Sequence, residues 1–373
     1  MRKFYLPFIL FISVACWLSA CQKDSEVKDE VPPTPVDTTK PFKATPYPLA
    51  LPPGWPSMFI PADNPLTMEG VELGRKLFYD PILSQTNTMS CGTCHNIAFG
   101  FTDNGKQFSE GLKGEKGTRN SMPLFNLGWS EKYITTNHKF FWDGGAADLE
   151  SQVLGPITNP IEMNETLANV VQKLQQHSVY PGLFKKAFGT DSVTTKRLIQ
   201  AIAQFERTII SFGSRYDMYM VTKNRNLLTD QEWRGFELFN NDVADGGADC
   251  FHCHNLSSPF TSDFQFHHNG HQSADEGLKR ITGNPEDIGK FRTPSLRNLL
   301  FTAPYMHDGR LKNLEEVVAF YNSGAIRVFP ADELIRKNPA GLNLTPQKKA
   351  DLVAFLKTLT DSTLLTKTHL MAP

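Results

Sequence analysis

Cys91-Gly92-Thr93-Cys94-His95 sets two thiols three positions apart with an imidazole directly after them, and Cys250-Phe251-His252-Cys253-His254 repeats the arrangement. That spacing is the attachment signature of c-type haem. The thiols add to the two vinyl groups, and the adjacent imidazole, kept close by that tether, becomes the proximal iron ligand. His95 and His254 would each take one face of an iron. One such motif also reads as a zinc or redox Cys-x-x-Cys followed by a chance histidine; two in an exported chain point to haem.

Export is read from the N-terminus. Arg2-Lys3 precedes an apolar stretch to Leu18, the form of a signal peptide over residues 1–20, and Leu18-Ser19-Ala20-Cys21 has the pattern of a lipoprotein cleavage site. Cys21 then becomes the lipidated first residue of a chain on the periplasmic side of the envelope, attached to a membrane by its anchor alone. The alternative is ordinary cleavage with a free Cys21. Six cysteines divide into four haem thiols, Cys21 and Cys16, which leaves with the signal, so none remains for a disulfide. Net charge is −1, with no basic stripe for nucleic acid and no uninterrupted apolar run of membrane-spanning length. Residues 21–61 are rich in proline and charge, including Pro32-Pro33 and Pro52-Pro53, and predict a disordered or extended tether with a reach of about 100 Å.

Working outward from the two motifs exposes a repeat. Gly74-Arg75-Lys76-Leu77-Phe78 precedes the first motif and Gly235-Phe236-Glu237-Leu238-Phe239 the second; Pro123, Leu124 and Asn126 are echoed by Pro294, Leu296 and Asn298. Trp142-Asp143-Gly144 and His307-Asp308-Gly309 each begin seven residues before a Leu-Glu pair, Leu149-Glu150 and Leu314-Glu315, that opens helical sequence. The remainder is mostly α. Leu198, Ile202, Phe205 and Ile209 form one helical stripe, Thr229-Asp230-Gln231-Glu232 has capping-box form, and Thr345-Pro346 starts a closing helix with Leu352, Phe355, Leu356 and Leu359 inward. The expected architecture is two cytochrome c-like haem domains, residues 62–212 and 213–361, followed by a tail, 362–373.

The repeat bears on the sixth iron position. Seven residues past each leucine stand Pro156 in the first unit and Tyr321 in the second. A tyrosine oxygen binds ferric iron; proline offers no ligating atom. Tyr321 also reads as a packing aromatic on a helix from Leu314, and Met306 is a second candidate for that iron. No histidine lies between Asn96 and Asn137, and Met89 and Met122 carry no motif-based claim, so the first haem is expected to have an open face. Peroxide chemistry there needs a group that takes a proton from one oxygen and gives it to the departing one. Glu162, just past Pro156, fits, and Gln152 lies four residues before that proline. On the residues alone, Glu162 equally reads as a solvated or capping carboxylate and Gln152 as a surface amide.

Phe141-Trp142-Asp143-Gly144, Gly155-Pro156, Ile161-Glu162-Met163 and Thr302-Ala303-Pro304-Tyr305-Met306-His307-Asp308-Gly309, together with both haem motifs, resemble the bacterial di-haem cytochrome c peroxidases and their MauG relatives. The likeness runs from about Leu66 to Leu359 and includes the spacing between motifs. It implies an oxidoreductase with two covalent haem c groups that reduces hydrogen peroxide at the first haem, using electrons from a small cytochrome, a cupredoxin or a quinol route through the second. It also implies Glu162 as acid/base, Gln152 as distal glutamine, Trp142 as a relay between the haems, and a calcium ion held by Asn120, Thr302 and the Pro304 carbonyl. Two departures matter. The peroxidase branch has a distal histidine on the first haem that is lacking here, and methionine where this chain has Tyr321. The tyrosine resembles MauG, which oxidises a partner protein. A non-enzymatic di-haem electron carrier is the third reading.

Overall fold

The computed structural model describes residues 42–103, 105–134 and 138–373, which belong to one compact unit, Pro35–Pro373. The expected signal peptide, Cys21 and the first half of the tether lie outside the described residues. Among those described, no helix is long and apolar enough to cross a membrane. The chain is mostly helical, and its regular strands, Phe266–His267 and Phe291–Arg292, form one short antiparallel pair.

Two helix pairs carry the repeat. Helix Met68–Tyr79 crosses helix Thr195–Arg207, and helix Asp230–Asn240 crosses helix Pro346–Lys357. Both crossings turn on a glycine. A Cβ added at Gly74 would lie 1.9 Å from the Ala201 carbonyl oxygen, and one at Gly235 would lie 2.0 Å from that of Asp351. Only a residue without a side chain lets the backbones approach this closely. Leu198, Ile202, Phe205 and Ile209 are fully buried beneath the first crossing, and Leu352, Phe355, Leu356 and Leu359 are buried beneath the second. Thr229 caps helix Asp230–Asn240 through the expected capping box, and Thr345 accepts from the Lys348 amide at the start of the closing helix.

The loops repeat as closely as the helices. Asn126 and Asn298 both take left-handed backbone. The Asn126 amide donates to the Ile209 carbonyl and its side-chain oxygen accepts from the Ser211 amide; Asn298 does the same with Leu359 and Asp361. Each asparagine thereby pins the end of a closing helix to the loop that follows a Cys-x-x-Cys-His motif.

One expectation needs correction. The described part of the tether is extended but docked. The Tyr47 amide donates to the Leu66 carbonyl, the Trp129 indole donates to Pro56, and the Trp55 ring meets Trp129 and Phe212 edge-on at 5.1 and 5.4 Å. Proline fixes an extended backbone without forbidding attachment, and Trp55 and Met58 supply apolar anchors against Trp129 and Ile210. The tail is docked as well: Leu364 and Leu370 are fully buried in the core around Phe78, Phe101 and Phe205, and Tyr79 donates to the Leu370 carbonyl at 2.6 Å.

Replacing Gly74 or Gly235 by alanine forces the backbones apart at a crossing. Each substitution is expected to destabilise the haem-loaded protein by about 1–3 kcal/mol, read as a lowered denaturant midpoint, whereas Gly117→Ala, where an added Cβ meets no atom, should cost less.

Candidate active site

Each Cys-x-x-Cys-His segment opens onto a cavity. The first has a volume of about 1240 Å³, with Cys91, Cys94 and His95 on its wall. The His95 Nδ1–H donates to the Phe101 carbonyl at 2.9 Å, which leaves Nε2 free, and burial lowers the pKa so that the ring stays neutral. A neutral imidazole oriented through its other nitrogen is what a metal ligand requires. Gly92, between the cysteines, lets the Tyr79 ring lie where a Cβ would come within 2.5 Å of it.

Burial pushes the Cys94 thiol up to about 11 and that of Cys91 further, and all four described cysteines are unpaired. A redox Cys-x-x-Cys has its nucleophilic thiol pulled down instead. These are thiols prepared for covalent attachment rather than for exchange.

Pro156, Gln152 and Glu162 all line the same cavity. Pro156 lies within helix Leu149–Thr158, begun by an Asp148 capping box, and its carbonyl accepts from the Met163 amide in the turn that carries Glu162. The Glu162 carboxylate accepts from the Asn159 side-chain amide at 2.6 Å. Burial raises its pKa and the Asn159 bond pulls the other way. The Gln152 side-chain oxygen is buried with no hydrogen-bond partner, an unsatisfied acceptor in a residue that lines the cavity. Met89, whose side chain packs with Val153 and Ile157, and Met122 also line the cavity, and His95 is the one histidine among its described lining residues.

The second cavity, about 210 Å³, is bounded by Cys250, Cys253 and His254. His254 Nδ1–H donates to the Thr261 carbonyl at 3.3 Å, and burial lowers its pKa to about 4. Phe101 and Thr261, whose carbonyls accept from these rings, both take left-handed backbone. Tyr321 and Met306 line this cavity too, and one Asn269 amide nitrogen lies 3.1 Å from the Tyr321 hydroxyl and 3.5 Å from the Met306 sulfur. Burial raises Tyr321 to about 12, opposed by the Asn269 bond. The expected helix from Leu314 ends at Ala319, and Tyr321 sits on a π-turn, Phe320–Gly324, a local widening that recurs at functional sites.

Trp142 lines both cavities. Its indole donates to the Asn120 carbonyl at 2.8 Å, and its own carbonyl accepts from the Arg292 amide at 2.9 Å. The next residue, Asp143, is fully buried and paired with Arg119 at 2.6 Å and with Arg280, which fixes the turn presenting the indole. Asn120, Thr302 and Pro304 line the second cavity. The Asn120 side-chain nitrogen donates to the Lys106 and Gln107 carbonyls, both at 3.1 Å, so its oxygen is the end left for a cation. Oxygen donors of this kind fit a hard cation such as calcium.

Several residues at the site escaped the sequence reading. Asn159 and Asn269 orient Glu162 and Tyr321. Arg292 is buried beside both cavities with no carboxylate partner, its guanidinium over the Phe140 and Phe260 rings. Glu206 lines the first cavity. Its signal was present in the sequence: Phe205-Glu206-Arg207-Thr208 is matched by Phe355-Leu356-Lys357-Thr358.

A twinned helical scaffold with two cavities, each facing a Cys-x-x-Cys-His segment, defines a di-haem protein of the c type. Residues 68–225 match the family of di-haem cytochrome c peroxidases. The chain is 35% identical over 301 residues to the methylamine utilization protein MauG of Methylophilus methylotrophus, covering 80% of this chain and 84% of the relative. It is 36% identical over 309 residues to the cytochrome c551 peroxidase of Nitrosomonas europaea, covering 81% and 83%. Among solved structures, a MauG-like protein associated with microbial copper homeostasis superimposes with a TM-score of 0.77 at 35% identity, covering 88% of this chain and 99% of that one. The diheme peroxidase BthA from Burkholderia thailandensis gives 0.66 at 26%, covering 81% and 88%. The chain belongs to the family of di-haem cytochrome c peroxidases and MauG proteins, oxidoreductases with two haem c groups.

An anionic oxygen ligand stabilises ferric iron more than a thioether does. Tyr321→Met is therefore expected to raise the reduction potential of the second haem, as read by spectroelectrochemical titration; an unchanged potential would show that Tyr321 is not its ligand.

Proposed function

We propose that the protein is a peroxidase that reduces hydrogen peroxide to two waters in the first cavity, with two electrons delivered by way of the second haem and Trp142. The observation that carries this reading is the half-buried Glu162 carboxyl, held by Asn159 and lining one cavity together with Pro156, Gln152 and the motif that presents His95. When bound through Cys91, Cys94 and His95, haem supplies the redox centre that accepts and delivers electrons. Glu162 takes a proton from one peroxide oxygen and delivers it to the other, so that the departing group leaves as water. Gln152, which lines the same cavity, is the amide available to orient peroxide or the carboxylate. Two electrons and two protons per peroxide yield two waters.

Cys250, Cys253 and His254 would hold the second haem, with the Tyr321 oxygen available in the same cavity as a further donor to iron, and that haem would supply the electron entry. A small cytochrome, a cupredoxin or a quinol route suits such an entry. Further parts of the same reading are a lipid anchor at Cys21 on the periplasmic side of the envelope, supported by the Leu18-Ser19-Ala20-Cys21 pattern, and a calcium ion at Asn120, Thr302 and Pro304, supported by their shared place at the second cavity.

A second reading, peroxide-dependent oxidation of a partner protein, is favoured by Tyr321 at the second cavity and by the likeness to MauG. Stable two-haem oxidation by peroxide, slow turnover with small donors and a modified co-encoded protein would select it. A pure electron carrier is disfavoured by Pro156, which offers an iron nothing to bind.

Glu162→Gln is expected to reduce peroxide consumption by about 10²–10⁴-fold with haem content intact. Wild-type levels of consumption in that variant would overturn the peroxidase reading. Glu162 must be ionised to accept the first proton, and burial raises its pKa, so the rate should fall as pH drops through a point above the ordinary carboxylate range. Asn159 stabilises the ionised form. Asn159→Leu should consequently move the acid limb of the pH–rate profile to higher pH.

A further inference from the structure

Glu206 occupies a place in the fold where its twin is apolar. The two closing helices correspond through their glycine crossings, Ala201 with Asp351 and Phe205 with Phe355. They correspond again at their ends, where the Thr208 hydroxyl donates to the Phe205 carbonyl at 2.6 Å and the Thr358 hydroxyl to the Phe355 carbonyl at 2.7 Å. This register sets Glu206 against Leu356, and each lines the cavity of its own unit. The scaffold accepts a leucine here, so the carboxyl of the first unit is not required by the fold.

Glu206 is 3% exposed and one of its carboxyl oxygens is fully buried without a hydrogen-bond partner. The neighbouring Arg207 does not neutralise it: both of its Nη groups are committed, to Glu131 at 2.8 Å and to Glu150 at 2.7 and 2.9 Å. Three carboxyls thus share one guanidinium, and two already hold it. An ionised carboxylate in that position costs several kcal/mol unless a nearby charge offsets it. Burial pushes Glu206 up to about 8, with Arg207 opposing and Glu150 adding to the rise. Cys91 on the haem-attachment helix lies within electrostatic reach of it and becomes an uncharged thioether on attachment, and Cys94 and Glu162 line the same cavity.

We propose that Glu206 is a redox-linked proton carrier for the first haem, binding one proton as that haem gains an electron and releasing it as the electron leaves. Oxidised haem is the more positive and favours the carboxylate; reduced haem favours the acid. On reduction, one electron enters from the one-electron donor and one proton from solvent forms the Glu206 O–H bond; on oxidation that bond breaks and the proton is available for the two that peroxide reduction consumes. Glu162 moves a proton between peroxide oxygens, whereas Glu206 holds one against the charge of the haem. The inference rests on the first cavity holding haem, and its test reads potentials and vibrations rather than peroxide turnover, so it can fail while the peroxidase reading stands.

Wild-type protein is expected to show a first-haem potential that falls with rising pH through the neutral range. Glu206→Gln and Glu206→Leu, the second borrowing the residue of the twin helix, should flatten that dependence, while Glu162→Gln should retain it. A redox-difference infrared spectrum of the unaltered protein should show a protonated-carboxyl stretch that gains intensity on reduction of the first haem. The proposal is overturned if the pH dependence survives in both Glu206 variants, if it disappears in Glu162→Gln instead, or if the wild-type spectrum has no such band. That last measurement needs no variant to fold.

Discussion

The protein depends on two backbone-to-backbone crossings in which a glycine lies against a carbonyl oxygen, Gly74 on Ala201 and Gly235 on Asp351. The close approach sets the axial position of each closing helix, and with it which side chains reach the cavity four or five residues further on. Phe205 and Phe355 pack at the crossings themselves; Glu206 and Leu356 follow and face the cavities. Asn126 and Asn298 then tie the ends of those helices to the loops behind the haem motifs. A displacement at either glycine would therefore reach the site through rigid elements.

The charges around the first cavity show how the fold handles ions in a low-dielectric interior. Arg207 is shared by Glu131 and Glu150, and Arg297 is held by both oxygens of Asp217 at 2.8 and 2.9 Å. Such pairs contribute little net stability, since desolvation offsets much of the attraction, but breaking one leaves a buried charge and is costly. They act as locating pins. Asp143, gripped by Arg119 and Arg280, does this for the turn that carries Trp142. Against that background three residues bordering the first cavity stand apart, since Gln152, Glu206 and Arg292 each keep one buried polar atom without a partner, although the Arg292 guanidinium also donates to the Ser130 hydroxyl.

How far the sequence could be read followed the range of the interaction involved. Cys-x-x-Cys-His is a local constraint, so both attachments were legible at once, as were the Thr229 and Thr345 caps. The opposition of Pro156 to Tyr321 was legible because a repeat carries spacing across the chain. Glu162 and Gln152 were candidates from their places around Pro156, but only resemblance favoured a site role for them, since a buried acceptor and a solvated one look the same in sequence. The π-turn at Tyr321 was hidden because the residues from Leu314 onward have ordinary helical character. The docking of Trp55 and Met58 was hidden by proline, which signals an extended backbone and says nothing about what that backbone lies against.

The two halves match wherever the fold is being built and part company where they face a cofactor. Glycine crossings, left-handed asparagines, histidine-to-carbonyl bonds and threonine caps are retained in both. Pro156 against Tyr321, Trp142 against His307 and Glu206 against Leu356 are the exceptions, and at least one member of every pair lines a cavity. Each exception moves the first unit toward chemistry: proline removes a ligand, the indole borders both cavities, and the carboxyl adds a site for a proton. The second unit sets the Tyr321 hydroxyl and the apolar Leu356 at the corresponding places, which would suit a centre that stores or passes an electron. On the proposed reading one duplicated scaffold separates proton handling from electron supply through a few side chains, those that line the cavities rather than the motifs that would attach the haems.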